Sequence, residues 1–198
     1  MAFYVKDNGG KDFKKIPPGT YVARCFQLVD LGEQLQDGKY GASVQHKLRI
    51  QWEVFGDDEE GQPLAVEIDG QQVPMTIGKT YTMSISEKAG LRKDLVSWRG
   101  REFTAEELEG FDITNILGAY CMLSIIHTEK DGKTYTNISA ITPLPSAFKA
   151  NKPEPHHENV IFQLDEPSME VFKALPEWMR ETIQKSPQYA EWASVESF

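Results

Sequence analysis

One segment of the chain alternates apolar and polar side chains so regularly that it constrains the fold class. From Val44 to Phe55, residues such as Leu48 and Ile50 alternate with Lys47 and Arg49. Successive side chains of a β-strand point to opposite faces, so this period of two predicts a strand with one buried face. The turn residues that follow it mark where the strand ends.

Four further strands are predicted around this one. Tyr21 to Leu31 precedes it, and a stretch from about Met75 to Ile85 follows it. Ala119 to Thr128 and Thr134 to Ile141 flank the dipeptide Asp131-Gly132, which is a strong signal for a hairpin turn. The sequence therefore predicts five strands, of which the last two form a hairpin.

Helical signals fall between the third and fourth strands. Ser86 is a candidate cap for a segment whose apolar residues recur at helical spacing from Leu91 to Trp98. Thr104 and Glu107 have the spacing of a capping box, which begins a second helix. Three strands, a helix and two strands are the element order of an OB-fold, so we predict a mainly β chain containing a five-stranded OB-fold barrel.

Proline density divides the chain. Residues 143–167 are rich in proline, which favours extended chain, and we interpret them as a linker. This gives an N-terminal arm at 1–17, an OB-fold nucleic-acid-binding domain at 18–142 and a C-terminal helical and acidic extension at 168–198.

The charge balance bears on partners and on the cellular compartment. The chain carries 21 Lys and Arg against 30 Asp and Glu, a formal charge of −9, which argues against a nucleic-acid partner until the charges are located. Cys25 and Cys121 lie in apolar stretches and are expected to be reduced. With neither a signal peptide nor a long apolar run in the sequence, we expect a cytoplasmic protein without a membrane partner.

Catalytic signals are weak. No histidine or cysteine cluster has metal-ligand spacing, so we predict no enzyme activity, no metal and no cofactor. Asp57, Asp58 and Glu60 leave open a metal-dependent nuclease, although an acidic run at a turn is more typical of solvated charge.

Binding signals are better represented. Arginines and lysines on outward strand positions and in loops neutralise phosphates, and aromatic rings beside them stack on unpaired bases. The candidate nucleic-acid residues are Arg24, Phe26, Lys39, Tyr40, Lys47, Arg49, Lys79, Lys133 and Tyr135. The competing interpretation is that Phe26 belongs to the core and that the lysines only solubilise the surface.

The C-terminal extension has two interpretations. Residues 168–186 form a helical pair that packs on the barrel or on a second subunit, so a homodimer stays open. Trp192, Glu196 and Phe198 lie in an acidic, aromatic tail. This tail resembles the acidic tail, ending in phenylalanine, by which bacterial single-strand-binding proteins recruit partners, and the resemblance implies docking of replication or recombination proteins. Because this extension is acidic, we expect its removal after about residue 150 to strengthen DNA binding.

Short motifs resemble a known family. They are Pro18-Gly19-Thr20-Tyr21, Cys25, Val29-Asp30-Leu31-Gly32, Ile50-Gln51-Trp52-Glu53, Trp98-Arg99-Gly100-Arg101, Phe103-Thr104, Glu107-Leu108-Glu109-Gly110-Phe111-Asp112, Asn115-Ile116-Leu117-Gly118 and Leu175-Pro176-Glu177-Trp178. With them the chain resembles small phage and prophage proteins described as single-stranded-DNA-binding or replication-initiation proteins. The resemblance implies an OB-fold core, single-stranded DNA as the partner, and a role in phage-type replication or recombination in the bacterial cytoplasm.

The expected function is therefore sequence-tolerant, non-catalytic binding of single-stranded DNA. The alternative from another class is a protein-interaction adaptor of a replication complex that does not contact DNA. The metal-dependent nuclease is the third hypothesis.

Overall fold

The computed structural model describes residues 14–38 and 41–195. Its strands are β1 (Gly19–Gly38), β2 (Gly41–Phe55), β3 (Ala65–Ile68), β4 (Gln71–Pro74), β5 (Thr76–Thr82), β6 (Tyr120–Lys130), β7 (Lys133–Pro143) and β8 (Val160–Phe162). Its helices are α1 (Gly90–Arg99), α2 (Ala105–Glu109), a 3-10 helix (Ile113–Ile116), α3 (Ser146–Lys149), α4 (Met169–Ala174), α5 (Glu177–Gln184) and α6 (Pro187–Val195). The mainly β class predicted from the sequence is confirmed.

The strands follow the alternation in the sequence, with different ends. β1 and β2 are longer than predicted because they continue as a ladder to Gly38 and Gly41. The small β3–β4 hairpin was not predicted; it turns at Asp69 and Gly70, both with positive φ. The capping box at Thr104 is confirmed, whereas the predicted cap at Ser86 is wrong, since α1 begins at Gly90 without a side-chain cap.

The main sheet has the strand order β5-β2-β1-β6-β7, and all of these pairings are antiparallel. β8 pairs in parallel with β1 beyond the stretch that β6 occupies. The sheet is not closed by hydrogen bonds between β5 and β7. The finding is therefore an open antiparallel sheet with β5 and β7 at its two edges.

Helix α1 contacts both of these edge strands. Asp94 accepts hydrogen bonds from Lys79 Nζ at 2.6 Å and from Tyr81 Oη at 2.7 Å, both on β5. Ser97 Oγ donates to the carbonyl oxygen of Ile141 on β7 at 2.5 Å. The apolar side of α1, which includes Trp98, packs into the main core against Trp52. The helix thus covers the gap between the edges.

A second apolar cluster lies on the outer face of β1. Its members are buried side chains from β1 and from the last part of the chain: Val29, Leu31, Phe162, Leu164, Phe172, Leu175, Met179 and Ile183. Burial of one such side chain is worth about 1.5–3 kcal/mol, so this cluster fixes residues 160–195 to the sheet. We call residues 160–195 the C-terminal unit. It packs on the sheet of its own chain, so the helical pair predicted at residues 168–186 lies against β1.

The proline-rich segment is not a free linker, which corrects the prediction for residues 143–167. It contains the short helix α3, and its extended part, which prolines favour, presents its peptide groups to neighbours. The amides of His156 and His157 donate to Glu53 Oε2 at 3.2 and 3.0 Å, and β8 follows directly in the sheet. Residues 153–159 therefore form a strap that leads into β8 and holds the C-terminal unit against β1.

Cys25 and Cys121 are free and buried, and burial raises the pKa of the Cys25 thiol to about 12, so it stays protonated. Within residues 14–38 and 41–195, no helix combines the length and apolar character needed to cross a membrane.

Candidate nucleic-acid interface

The outward face of β2 and β5 carries a continuous band of polar and basic side chains. Lys47, Arg49 and Gln51 of β2 stand opposite Thr82, Thr80 and Gly78 of β5 in the ladder. Seven residues share this face, and we call them the β2–β5 strip: Gln45, Lys47, Arg49, Gln51, Gly78, Thr80 and Thr82. None of these residues is acidic.

The lysine of the strip is held by neutral groups. Lys47 Nζ donates to Gln45 Oε1 at 2.7 Å and to Thr82 Oγ1 at 3.2 Å, and Thr82 Oγ1 in turn donates to Gln45 at 2.8 Å. Lys47 has no carboxylate partner among the described residues. Its charge is thus fixed in position but not neutralised, which suits a site for an external anion.

Arg49 is the most constrained cation of the strip. Its Nη1 donates to Thr80 Oγ1 at 3.1 Å, and its guanidinium lies over the backbone of Gly78. A Cβ atom added at Gly78 would lie 2.6 Å from Arg49 Nε and Nη2, so only glycine leaves room for this arrangement. Burial lowers the pKa of Arg49, although an arginine remains a cation at neutral pH.

A cleft continues the strip toward the start of α1. It has a volume of about 560 Å³ and shares Lys47, Thr80 and Thr82 with the strip. Lys79 and Lys88 add basic groups, and further hydroxyl groups come from Tyr81, Ser84 and Ser86. Because Lys79 is paired with Asp94, Lys47 and Lys88 are the lysines of this cleft without a carboxylate partner among the described residues. The strip and the cleft together form one basic path along the sheet edge.

Two predicted site residues are buried elsewhere, which corrects their placement on an open face. Arg24 is covered by the strap; its Nη1 bonds Glu53 Oε1 at 2.6 Å and the carbonyl oxygen of His157 at 3.0 Å, and its Nη2 bonds Asn159 Oδ1. Phe26 stacks on the His157 ring with the centroids 4.5 Å apart. Both residues support the strap, so neither is open to a ligand in this structure.

Glu53 explains why the strap docks there. Its side chain is fully buried, and its carboxylate also lies 2.8 Å from His157 Nδ1. Burial alone raises the pKa of Glu53, but hydrogen bonds from His157 and Arg24 outweigh that effect and hold the pKa below its usual value. The outward face of β2 is therefore an open basic strip as far as Gln51. From Glu53 onward it is covered by the strap, and Glu53 forms a buried ion pair with Arg24.

The β6–β7 hairpin carries two more predicted residues. Lys133 and Tyr135 lie near its tip, and Tyr135 is 46% exposed. Gly19 at the start of β1 pairs with Ile125, so the hairpin tip extends past the start of β1, whereas the β1–β2 turn lies at the other end of that strand. In the described part of the chain, neither Lys133 nor Tyr135 has a hydrogen bond or ring contact with the strip. Lys39 and Tyr40 lie outside the described residues.

The predicted docking tail is partly accounted for by internal packing. Trp192 on α6 lies 5.5 Å from the Phe172 ring and 6.2 Å from the Phe162 ring, so it covers the second cluster. The ring is only partly buried there, so its role in docking a partner stays a prediction. Glu196 and Phe198 lie outside the described residues.

One aromatic residue beside the strip was not predicted as a site residue. The ring of Trp178 on α5 lies 5.3 Å from the guanidinium carbon of Arg49. The sequence indicated only that Trp178 belongs to a helix with Met179 and Ile183. Its position beside β2 depends on how the C-terminal unit packs, which no local pattern reports.

The acidic turn at residues 57–60, on which the nuclease hypothesis rests, is stabilised by its own aspartate. Asp58 accepts hydrogen bonds from the amides of Glu60 and Gln62 and pairs with Lys14 at 3.2 Å. The hydrogen bond from the Gln62 amide is the main cause that lowers the pKa of Asp58. Residues 14–38 and 41–195 contain no group of three or more His, Cys, Asp or Glu placed to hold a metal ion.

Comparison of the sequence with models of known protein families and with characterised proteins gives no match. The assignment of function therefore depends on the geometry of the β2–β5 strip and its surroundings.

Proposed function

We propose that this protein binds single-stranded DNA along the β2–β5 strip and the adjoining cleft, with little sequence preference and without catalysis. The observation that carries the proposal is the strip itself, in which Lys47 and Arg49 are fixed in place by neutral groups and none of the seven residues is acidic. Cations of this kind bind phosphates by releasing the counterions of the nucleic acid.

The topology supports the same proposal. We infer an OB-fold, because the order β5-β2-β1-β6-β7 with α1 between β5 and β6 fits that fold if the β3–β4 hairpin is an insertion. An OB-fold is a partly open barrel, so an unpaired edge between β5 and β7 is compatible with it. In this fold the face of the second and third strands binds oligonucleotides, and here these strands are β2 and β5.

The overall charge of −9 does not oppose this proposal. At physiological salt the Debye length is about 8 Å, so distant acidic groups are largely screened from a phosphate on the strip. Binding then depends on cations in direct contact with the phosphates. We accordingly expect tight contact without long-range attraction, and a role in phage-type replication or recombination is the setting that the family resemblance adds.

Binding of single-stranded DNA to the strip should depend on salt. A fluorescently labelled oligo-dT of about 16 nucleotides should bind with an affinity that falls between about 50 and 200 mM salt. With Lys47, Arg49 and Lys88 contacting phosphates, the slope of log affinity against log salt should be about −2, since each phosphate contributes about −0.7. Fluorescence anisotropy at several salt concentrations measures this slope.

A duplex of the same length is the matched competitor. It should bind more weakly than oligo-dT, because a flat sheet face offers no helix or ribbon for the grooves of a duplex. Equal binding of the duplex, or no binding of oligo-dT at low salt, would contradict the proposal. In the second case the adaptor hypothesis would be the one to pursue.

A further inference from the structure

Trp178 is an exposed aromatic side chain beside a basic strip. Its exposed fraction is 46%, whereas Trp52 and Trp98 are buried in the main core. Tryptophan is a large and mostly apolar side chain that proteins usually bury to a high degree. At this position, with the Arg49 guanidinium 5.3 Å from its centroid, the ring is accessible to a ligand on the strip.

The packing of the C-terminal unit positions Trp178 but does not bury it. On α5, the neighbouring residues Met179 and Ile183 are buried in the second cluster. Residues four apart share one side of a helix, so Trp178 lies on the same side as Thr182. The Arg49 guanidinium of β2 lies against the Trp178 ring, so this side of α5 borders the strip. The helix thus places Trp178 at the border of the strip, outside the cluster that holds the helix.

We propose that Trp178 stacks on a base of the bound strand and selects unpaired nucleic acid, an inference that rests on the proposed function of the β2–β5 strip. A phosphate held by Arg49 places its nucleotide beside the tryptophan ring. Stacking requires a free base face, and the bases inside a duplex have both faces covered by their neighbours. The C-terminal unit is then one wall of the nucleic-acid site.

Arg49 and Trp178 act together in this site. The guanidinium lies against one part of the ring, an arrangement typical of a cation–π contact, and this restricts the ring orientation before the strand arrives. Arg49 is itself restricted by Thr80 and by the absence of a side chain at Gly78. A preorganised ring loses less conformational freedom on binding than a free one.

The test combines anisotropy with intrinsic tryptophan fluorescence during titration with oligo-dT. Trp178→Ala should weaken binding by about 5-fold to 150-fold, the effect of losing one stacked base. The salt slope should stay at the wild-type value, because stacking releases no counterions. If Trp178 only positioned Arg49, the slope would instead lose about one phosphate contribution, and that result would overturn the stacking role.

Trp178→Phe separates stacking from folding. It keeps an aromatic ring, so it should bind close to the wild type, but it should lose the fluorescence quenching that oligo-dT produces in the wild type. Phe148→Ala is the matched control, since Phe148 is also exposed, at 44%, but lies on α3; it should change neither signal. Equal thermal melting of the variants shows that the fold is intact.

Binding of DNA on the strip and stacking on Trp178 are contradicted by different results. If the wild type does not bind oligo-dT, the proposed function fails and the role of Trp178 fails with it. If the wild type binds, but Trp178→Ala has the wild-type affinity or Trp178→Phe retains full quenching, only the role of Trp178 is overturned.

Discussion

Reversing the charge of both Lys47 and Arg49 to glutamate should weaken binding of oligo-dT by at least about 100-fold at low salt. A hydrogen bond to a charged group is worth about 1.5–3 kcal/mol, and each 1.4 kcal/mol corresponds to a tenfold change in affinity, so two lost contacts give this factor. The salt slope should also fall by about 1.4, since two phosphate contributions of about 0.7 are lost. Anisotropy titrations of the variant and the wild type measure both quantities.

Two further variants make this result specific to the strip. Lys149→Glu combined with Lys173→Glu changes the net charge by the same amount at exposed positions on α3 and α4, and should leave binding close to the wild type. Gly78→Ala changes no charge but displaces the Arg49 guanidinium, and should weaken binding in the same direction as the charge reversal. Equal losses of affinity for oligo-dT in the control and strip variants would show a general charge effect and contradict a local site. If the protein were instead a protein-interaction adaptor, none of these variants would lose function.

Glu53→Gln should destabilise the fold by about 3–5 kcal/mol, the cost of leaving one partner of a buried ion pair uncompensated. Arg24 and Glu53 are both buried, and the Glu53 carboxylate also receives the amides of the strap. Its loss leaves the Arg24 charge buried and loosens residues 153–162, so the C-terminal unit should detach more easily from β1. Urea denaturation measures the change, with the exposed Glu67→Gln on β3 as the control of the same chemistry. A loss below about 1 kcal/mol, the range of exposed pairs, would show that the pair does not hold the strap.

The same pair gives the direction of the pH dependence of stability. The pKa of Glu53 is lower in the folded protein than in the unfolded chain, where a glutamate titrates near 4.3. Its contribution is therefore complete above the unfolded pKa and is lost as the pH falls through the folded pKa. Wild-type unfolding curves should show this loss on acidification, and Glu53→Gln should show less of it.

Local patterns were sufficient for the elements that the site is built on. The alternation around Leu48 and Ile50 depends only on which face of a strand is buried, so it also predicted that Lys47 and Arg49 point outward. The capping box at Thr104 is likewise a contact between near neighbours in the sequence. The β2 part of the strip could therefore be derived from the sequence, because its residues follow one another along a single strand.

The remaining features depend on contacts between distant parts of the chain. Arg24 has the same alternation as an outward residue, and only its pairing with Glu53 and the strap makes it a buried one. Proline content predicted an extended segment at 143–167 but not the surface that it lies on. Trp178 reaches the strip only because the second cluster docks α5 on β1.

These contacts also change the expected effect of shortening the chain. From the sequence, removing the acidic residues after about 150 was expected to strengthen DNA binding. In the structure that removal takes away β8, exposes Val29 and Leu31, and leaves the Arg24–Glu53 pair without its strap. The intact chain is therefore the form in which DNA binding should be measured, and point variants are the appropriate probes.

The most direct test of the central proposal is an NMR titration of the full chain with oligo-dT, following the backbone amide shifts. Binding on the strip predicts that the largest changes fall at residues 45–51 and 78–82, with further changes around residue 178. Changes concentrated in the β6–β7 hairpin at 133–137, or no changes at low salt, would contradict it.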